Sequence, residues 1–130
     1  MIKVGDWVKV GSVIGRVIKT NGDMAIVKTL ETTSSQYVED LTMLPIKFKP
    51  FEINKNLQVY EKRVIKGHKY PIQFMSTDDN FAAFSYCKKG VMFGTMGNRQ
   101  CVTRDQAKDW LEFQYTTMLA KAMGINLKET

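Results

Sequence analysis

Residues 4–27, VGDWVKVGSVIGRVIKTNGDMAIV, decide the fold of the first part of the chain. The stretch alternates short runs of Val, Ile and Trp, which favour strands, with glycine-containing breaks. Asn21-Gly22 predicts a hairpin, because a two-residue type I′ turn requires a positive φ at both positions. Extended outward to residue 46, the pattern predicts five short strands, and strands this short and closely spaced indicate a small β-barrel over 1–46.

The same stretch resembles the KOW family of Tudor-like small barrels. VGDWVKV at 4–10, GRVI at 15–18 and MAIV at 24–27 follow the family's opening G-D-x-V-x-V, its G-x-V and its returning apolar strand. Gly15 falls at the family's signature glycine, where we expect a tight turn between bent strands. The resemblance covers roughly a third of the chain. It implies a binding module of the gene-expression machinery that contacts RNA, DNA or protein.

Residues 47–56 are predicted to be a linker. Pro45 and Pro50 favour extended backbone around them, and three lysines keep the segment solvated. Phe48, Phe51 and Ile53 are too apolar for a free tether, so we expect them to pack in the cleft between the two parts of the chain.

The remainder, 57–130, is predicted to be an antiparallel sheet followed by one C-terminal helix, which makes the whole chain α+β. Strands are expected at 57–66, 70–75, 81–87 and 91–96, with a short fifth strand at 98–102 after a turn at Gly97. Thr103 and Gln106 form a capping-box pattern that begins the helix, and Gly124 is a natural residue to end it.

The positive charge of the chain belongs to its second part. Residues 1–46 carry five basic and five acidic side chains, whereas 47–130 carry fourteen and eight, which accounts for the whole net charge of +6. A basic region beside a neutral one indicates a partner of negative charge for the basic region, and nucleic acid is the common case.

Basic side chains interleaved with aromatic ones predict where nucleic acid binds, since Lys and Arg neutralise phosphates and aromatic rings stack on exposed bases. One group surrounds the first predicted hairpin and comprises Lys62, Arg63, Lys66, His68, Lys69 and Tyr70. The other surrounds the second hairpin and comprises Tyr86, Lys88, Lys89, Arg99 and Arg104. The alternative is that these side chains only keep the turns solvated.

Two pairs within these groups differ in the role we expect. Lys62 and Arg63 lie mid-strand on opposite faces, so at most one is free to touch phosphate, and the Arg63 stem is suited to covering apolar surface. Lys88 and Lys89 lie at the expected tip of a hairpin, where long side chains reach a phosphate backbone.

Several classes of function are disfavoured by the sequence. His68 is the only histidine, and with Cys87 and Cys101 it makes neither a convincing catalytic pair nor a zinc site. The glycines at 94 and 97 lack the lysine and hydroxyl of a phosphate-binding loop, so no cofactor and no enzyme activity is expected. No apolar run is long enough for a membrane span, and the residues MIKVGDWVKV do not resemble a signal peptide, so we expect a cytoplasmic protein.

A second resemblance concerns the basic part. FAAF at 81–84, the glycines at 90 and 94 and a capped helix resemble sheet-and-helix DNA readers of the integrase-arm and plant ethylene-response type. That resemblance implies that outward residues of the third and fourth strands read bases in the major groove. A neutral module beside a basic one also resembles phage-encoded modifiers of host transcription and nucleoid.

The function predicted from the sequence is therefore non-enzymatic binding of nucleic acid, double-stranded DNA before RNA, largely through phosphates and with little sequence preference. Such binding would modulate transcription or nucleoid state. The alternative is a protein-interaction module that inhibits or redirects a host polymerase or defence complex, through the barrel or through the helix around Trp110.

Overall fold

The computed structural model describes residues 1–77, 80–88 and 91–127, and the side chains of 1–76, 80–83 and 97–127. The chain folds into two compact units. Unit 1 comprises Met1–Phe48 with the described residues from Leu119 onward, and unit 2 comprises Lys49–Met118. The described residues form two antiparallel sheets and a single C-terminal helix. The predicted sheet-rich α+β class is confirmed at this level.

Unit 1 contains a five-stranded antiparallel sheet. Its strands are β1 (Trp7–Val10), β2 (Val13–Asn21), β3 (Met24–Lys28), β4 (Thr33–Tyr37) and β5 (Leu41–Met43). They pair in the order β4-β3-β2-β1-β5, and a 3-10 turn at Val38–Asp40 joins the two edge strands. Within residues 1–48, which are all described, no ladder pairs β4 with β5. Closure of the sheet into a barrel therefore stays a prediction.

The core of unit 1 explains its glycine at position 15. Val8, Val17, Ala25 and Val27 are the fully buried residues of this core. Gly15 lies inside β2, paired with Val8, so the tight turn expected there is not present. A Cβ at position 15 would lie 2.3 Å from Cγ1 of Val27. Gly15 is required because Val27 packs against its backbone, and the reason is steric rather than conformational.

The predicted hairpin is present but its loop is shifted by one residue. Asn21 pairs with Met24, so the two loop residues are Gly22 and Asp23, and Gly22 has a φ of 63°. A positive φ at the first loop position is where a type II′ turn places its glycine. The β2–β3 ladder also contains a bulge, because Val17 and Lys19 face consecutive residues of β3 and leave Ile18 unpaired.

Unit 2 contains a four-stranded antiparallel sheet in the order β6-β7-β8-β9. Its strands are β6 (Tyr60–Arg63), β7 (Ile72–Thr77), β8 (Asn80–Lys88) and β9 (Val91–Gln100). The fifth strand and the turn at Gly97 were predicted wrongly, because Gly97 pairs with Ala83 and residues 98–100 continue β9. The two phenylalanines of the predicted linker make their described ring contacts in different units. Phe48 stacks on Trp7 in unit 1, and Phe51 is 2% exposed in unit 2.

The helix α1 (Arg104–Ala122) has the ends that the sequence predicted. At its start the amide of Gln106 donates to Oγ1 of Thr103 at 3.2 Å. The Gln106 side chain reaches back one residue further than in a standard capping box and accepts from the amide of Val102 at 3.1 Å. At its end Gly124 has a φ of 81°, and the amide of Ile125 donates to the carbonyl of Ala120 at 3.0 Å, as in a Schellman cap.

Candidate nucleic-acid interface

A turn rich in basic residues connects β6 with β7. The amide of His68 donates to the carbonyl of Ile65 at 2.9 Å, and Gly67 within this turn has a φ of 90°. Lys66, His68 and Lys69 are all exposed, since the turn has no core to cover. We call residues 66–69 the basic turn. Lys62, Lys66 and Lys69 are exposed, and residues 62–77 contain no acidic side chain, so the basic turn lies in a stretch of net positive charge.

Tyr70 follows the basic turn and is half-buried. Nζ of Lys69 lies 5.5 Å from the centroid of its ring, within the range of a cation–π interaction. The ring therefore supports the lysine beside it rather than standing free as a stacking surface. Tyr70 belongs to the basic surface through this contact.

The strand β6 separates its side chains onto two faces. Val59, Arg63 and Ile65 lie on the side of the core, with Val59 6% and Ile65 1% exposed. Tyr60 and Lys62 lie on the other side, and both are exposed. The prediction that Lys62 and Arg63 face opposite sides of the strand is therefore confirmed, and Lys62 is the one of the two that reaches solvent.

Arg63 uses its guanidinium inside unit 2. The group donates to the backbone carbonyls of Lys49 and Pro50, the latter at 3.2 Å, and lies 3.3 Å from a carboxylate oxygen of Glu61. Its Cζ is 3.8 Å from the centroid of the Phe51 ring, and the side chain is 11% exposed. These contacts hold the segment before β6 against the core of unit 2. The Arg63 guanidinium that makes them is directed away from solvent.

Two polar contacts, one buried and one partly buried, keep this part of unit 2 in place. Oε2 of Glu112, a residue 1% exposed on α1, accepts from the amide of Phe51 at 3.1 Å. The hydroxyl of Tyr115 donates to the carbonyl of Val64 at 3.1 Å, at the point where β6 leads into the basic turn. Burial raises the pKa of the Tyr115 phenol above its ordinary value, and the nearby Arg63 charge opposes part of that rise.

The antiparallel order places the candidate residues at opposite ends of the sheet. The pairs Arg63–Ile72 and Lys88–Val91 close two neighbouring connections, so the basic turn and the β8–β9 hairpin lie at the same end. We call this the turn end. Arg99 lies at the other end of β9, and Arg104 opens α1 just beyond it. The sequence analysis placed Arg99 and Arg104, which are both exposed, in one group with the residues of the β8–β9 hairpin. In the structure these two arginines lie at the opposite end from that hairpin.

The structure describes the second predicted group of basic and aromatic residues only in part. Lys88 and Tyr86 are in β8, but their side chains lie outside the described residues, and Lys89 lies outside them altogether. The register still locates the hairpin: Gln73 pairs with Phe84, so β8 continues about four residues, or about 13 Å, past the pairing with β7. The β8–β9 hairpin projects beyond the rest of the sheet at the turn end.

Tyr60 is a surface residue that the sequence analysis missed. It is 70% exposed and shares the outward face of β6 with Lys62. The signal was available in the alternation of residues 59–65, which places Tyr60 and Lys62 on one side once Val59 and Ile65 are assigned to the core.

The described residues also bear on chemistry other than binding. Among them, no three His, Cys, Asp or Glu side chains come together in a way that would hold a metal ion. Cys101 is 2% exposed, and burial raises the pKa of its thiol while Arg99 opposes the rise, which favours the unreactive protonated form. Over the same part of the chain, no helix has the length and apolar character needed to cross a membrane.

Comparisons with known proteins leave the family open. Neither a protein-family model, nor a curated protein, nor a solved structure matches the chain. The charge, exposure and topology of unit 2 are therefore the observations from which a function is inferred.

Proposed function

We propose that this protein binds nucleic acid without catalysing a reaction, double-stranded DNA before RNA, and that it does so mainly through phosphates. Lys62 and the lysines of the basic turn, Lys66 and Lys69, provide the described part of the surface. The proposal also includes Lys88 and Lys89, which the sequence predicts to contact phosphate. Contacts of this kind carry little sequence preference, which suits a protein that modulates transcription or nucleoid state in the cytoplasm.

One observation carries this proposal: the exposed lysines of the basic turn lie at the same end of the unit 2 sheet as the β8–β9 hairpin. The alternative, in which the basic side chains only keep the turns solvated, requires no common location for the two connections. A shared end favours binding, because a duplex presents its phosphates as a continuous line of charge that only a continuous basic surface can follow.

The proposal for unit 1 is that it forms a curled barrel of the KOW type. Three features support it: the strand order β4-β3-β2-β1-β5, the short 3-10 turn that keeps the two edge strands close in sequence, and the bulge at Ile18 that bends β2. Residues 1–46 have no net charge. We therefore assign the phosphate contacts to unit 2 and a protein contact or an orienting role to unit 1.

The test is a titration of labelled duplex DNA with the full chain at two salt concentrations. Five lysine–phosphate contacts give a slope of about −4 to −5 in log K against log salt, so affinity falls roughly 250- to 1,000-fold between 50 and 200 mM. The dissociation constant expected near physiological salt is about micromolar or weaker. Strong binding that does not change with salt contradicts a phosphate-dominated interface.

The second candidate function is a protein-interaction module, and exposed apolar residues of unit 1 favour it. Ile18 at the bulge is 45% exposed, and Val4 and Tyr37 are 63% and 53% exposed within residues 1–46, which carry no net charge. The partner that the resemblance to phage-encoded modifiers implies is a host polymerase or defence complex. Absence of DNA binding at low salt would favour this candidate over the first.

A further inference from the structure

A shallow groove opens beside the first residue of β6. It has a volume of about 360 Å³ and is lined by Asn54, Gln58, Val59, Tyr60 and Ser76, all of unit 2. Val59 is 6% exposed, with its side chain toward the core, whereas Tyr60 is 70% exposed on the other face of the strand. The volume is at the lower end of the range for small-ligand sites.

The wall of this groove is held rigid by Asn54. Oδ1 of Asn54 accepts from the amides of Asn56 and Gln58, each at 2.9 Å. Between them Leu57 has a φ of 57°, a conformation that a leucine adopts only when its surroundings impose it. These hydrogen bonds form a turn that carries Gln58 to the edge of the groove.

The same asparagine also orients the Gln58 side chain. Nδ2 of Asn54 donates to Oε1 of Gln58 at 3.2 Å, which occupies the amide oxygen. The two N–H groups on Nε2 of Gln58 remain, and within the described part of the chain they have no acceptor. The groove thus presents an oriented hydrogen-bond donor beside an exposed aromatic ring.

A positive charge completes the arrangement. Lys62 follows Tyr60 by two residues on the same face of β6, so their Cα atoms are about 6.6 Å apart. Tyr60 pairs across the sheet with Met75, which is half-buried. An exposed tyrosine alone is ordinary on a protein surface. A ring, an oriented amide donor and a lysine in one short stretch match the three parts of a nucleotide contact.

We propose that this groove binds one unpaired nucleobase of the nucleic acid. The base stacks on the Tyr60 ring, an acceptor atom on its edge takes a hydrogen bond from Nε2 of Gln58, and Lys62 neutralises a neighbouring phosphate. The inference rests on the proposed function and narrows its substrate: the preferred partner is DNA with an unpaired stretch rather than uninterrupted duplex. A paired base cannot lie against Tyr60, because its faces are covered by its neighbours in the stack.

The experiment compares two labelled DNAs of equal length and equal phosphate number. One is a fully paired duplex of about 20 base pairs, and the other contains about three consecutive mismatches, so only the second offers unpaired bases. Stacking of a base on an aromatic ring leads us to expect roughly 5- to 100-fold tighter binding of the mismatched DNA by the full chain. Tyr60→Ala should abolish this preference, and Tyr60→Phe should keep it.

The outcomes separate this inference from the proposed function. Equal affinity of the wild-type chain for both DNAs, with the expected salt dependence, overturns the Tyr60 site and leaves the phosphate surface standing. A preference that persists in Tyr60→Ala also overturns the site. Failure of the wild-type chain to bind either DNA overturns both proposals. Because Tyr60 is exposed, the melting temperature of Tyr60→Ala should match that of the wild type and exclude misfolding.

Discussion

The guanidinium of Arg63 lies over the face of the Phe51 ring, with 3.8 Å between Cζ and the ring centroid. The ring in turn meets Phe74 edge-on, with centroids 4.9 Å apart, and Tyr115 at 5.9 Å. A basic residue of the most positive region is thus part of an aromatic core. The neighbouring Lys62 is exposed. Of these two adjacent basic residues on β6, Arg63 therefore packs in the core and Lys62 lies on the surface.

Replacing Arg63 should therefore affect stability and replacing Lys62 should affect binding. Arg63→Lys keeps the charge but loses the planar fork that reaches the two backbone carbonyls and stacks on Phe51. We expect a loss of about 1–3 kcal/mol in the free energy of unfolding. Urea denaturation measures it, with the exposed Lys62→Ala, expected within about 0.5 kcal/mol of wild type, as the control. Equal stability of the two variants would contradict the assignment.

Gly15→Ala should destabilise unit 1, because the new methyl group would lie 2.3 Å from Cγ1 of Val27. Overpacking of this kind costs about 1–3 kcal/mol. The double variant Gly15→Ala/Val27→Ala removes the clashing atom, so its loss should be smaller than the sum of the two single losses. Thermal denaturation of the four proteins completes the cycle, and strict additivity would show that the two positions do not compete for space.

Thr103→Ala should shorten or destabilise α1. The change removes the acceptor of the Gln106 amide, and loss of such a cap costs about 1 kcal/mol. Thr103→Ser keeps an acceptor oxygen at the same position and should retain most of the stability. Chemical denaturation followed by helical circular dichroism distinguishes the two variants. If alanine and serine are equally tolerated, the hydroxyl does not cap the helix in solution.

Two matched double variants locate the phosphate surface. Lys66→Ala/Lys69→Ala and Arg99→Ala/Arg104→Ala each remove two exposed charges, but at opposite ends of the unit 2 sheet. The first should weaken binding to all DNA sequences alike and reduce the magnitude of the salt slope by up to about two, while the second leaves the slope nearly unchanged. Lys88→Ala/Lys89→Ala should behave like the first. Equal losses from both ends would mean that the contact surface spans the sheet.

Alkaline pH should lower the free energy of unfolding, because the Tyr115 phenol loses its proton. Burial raises the pKa of this phenol in the folded state above its ordinary value of 10.0, so the folded protein holds the proton more tightly than the unfolded chain. The stabilising contribution is therefore complete below pH 10.0 and is lost as pH rises through the folded value. Tyr115→Phe removes the titrating group, and the difference in unfolding free energy between the two proteins, measured by urea denaturation, should shrink above that pH. A difference independent of pH would contradict this.

Local signals in the sequence predicted most of the secondary structure. The cap at Thr103 and the ending at Gly124 depend on residues within a few positions of one another, and both are confirmed. The alternation through residues 59–65 likewise assigned Lys62 and Arg63 to opposite faces. Each of these features is set by backbone preference and periodicity, which a single sequence contains.

The features that escaped prediction depend on contacts between distant residues. Gly15 is explained by Val27, and the length of β9 by its pairing with β8, which carries the strand through Gly97. The candidate site shows the same limit. The sequence identified the basic turn, but the separation of Arg99 from it follows from the strand order, which no local pattern specifies.

The bulge in β2 has a consequence for changes of chain length. Val17 and Lys19 already face neighbouring residues of β3, so Ile18 is the residue of β2 whose deletion would leave every other β2–β3 pair opposite its present partner. Deletion elsewhere in the strand would turn inward residues outward on one side of the gap. A chain shorter by this residue is therefore expected to keep its β2–β3 pairing and to lose the extra bend that the bulge gives β2.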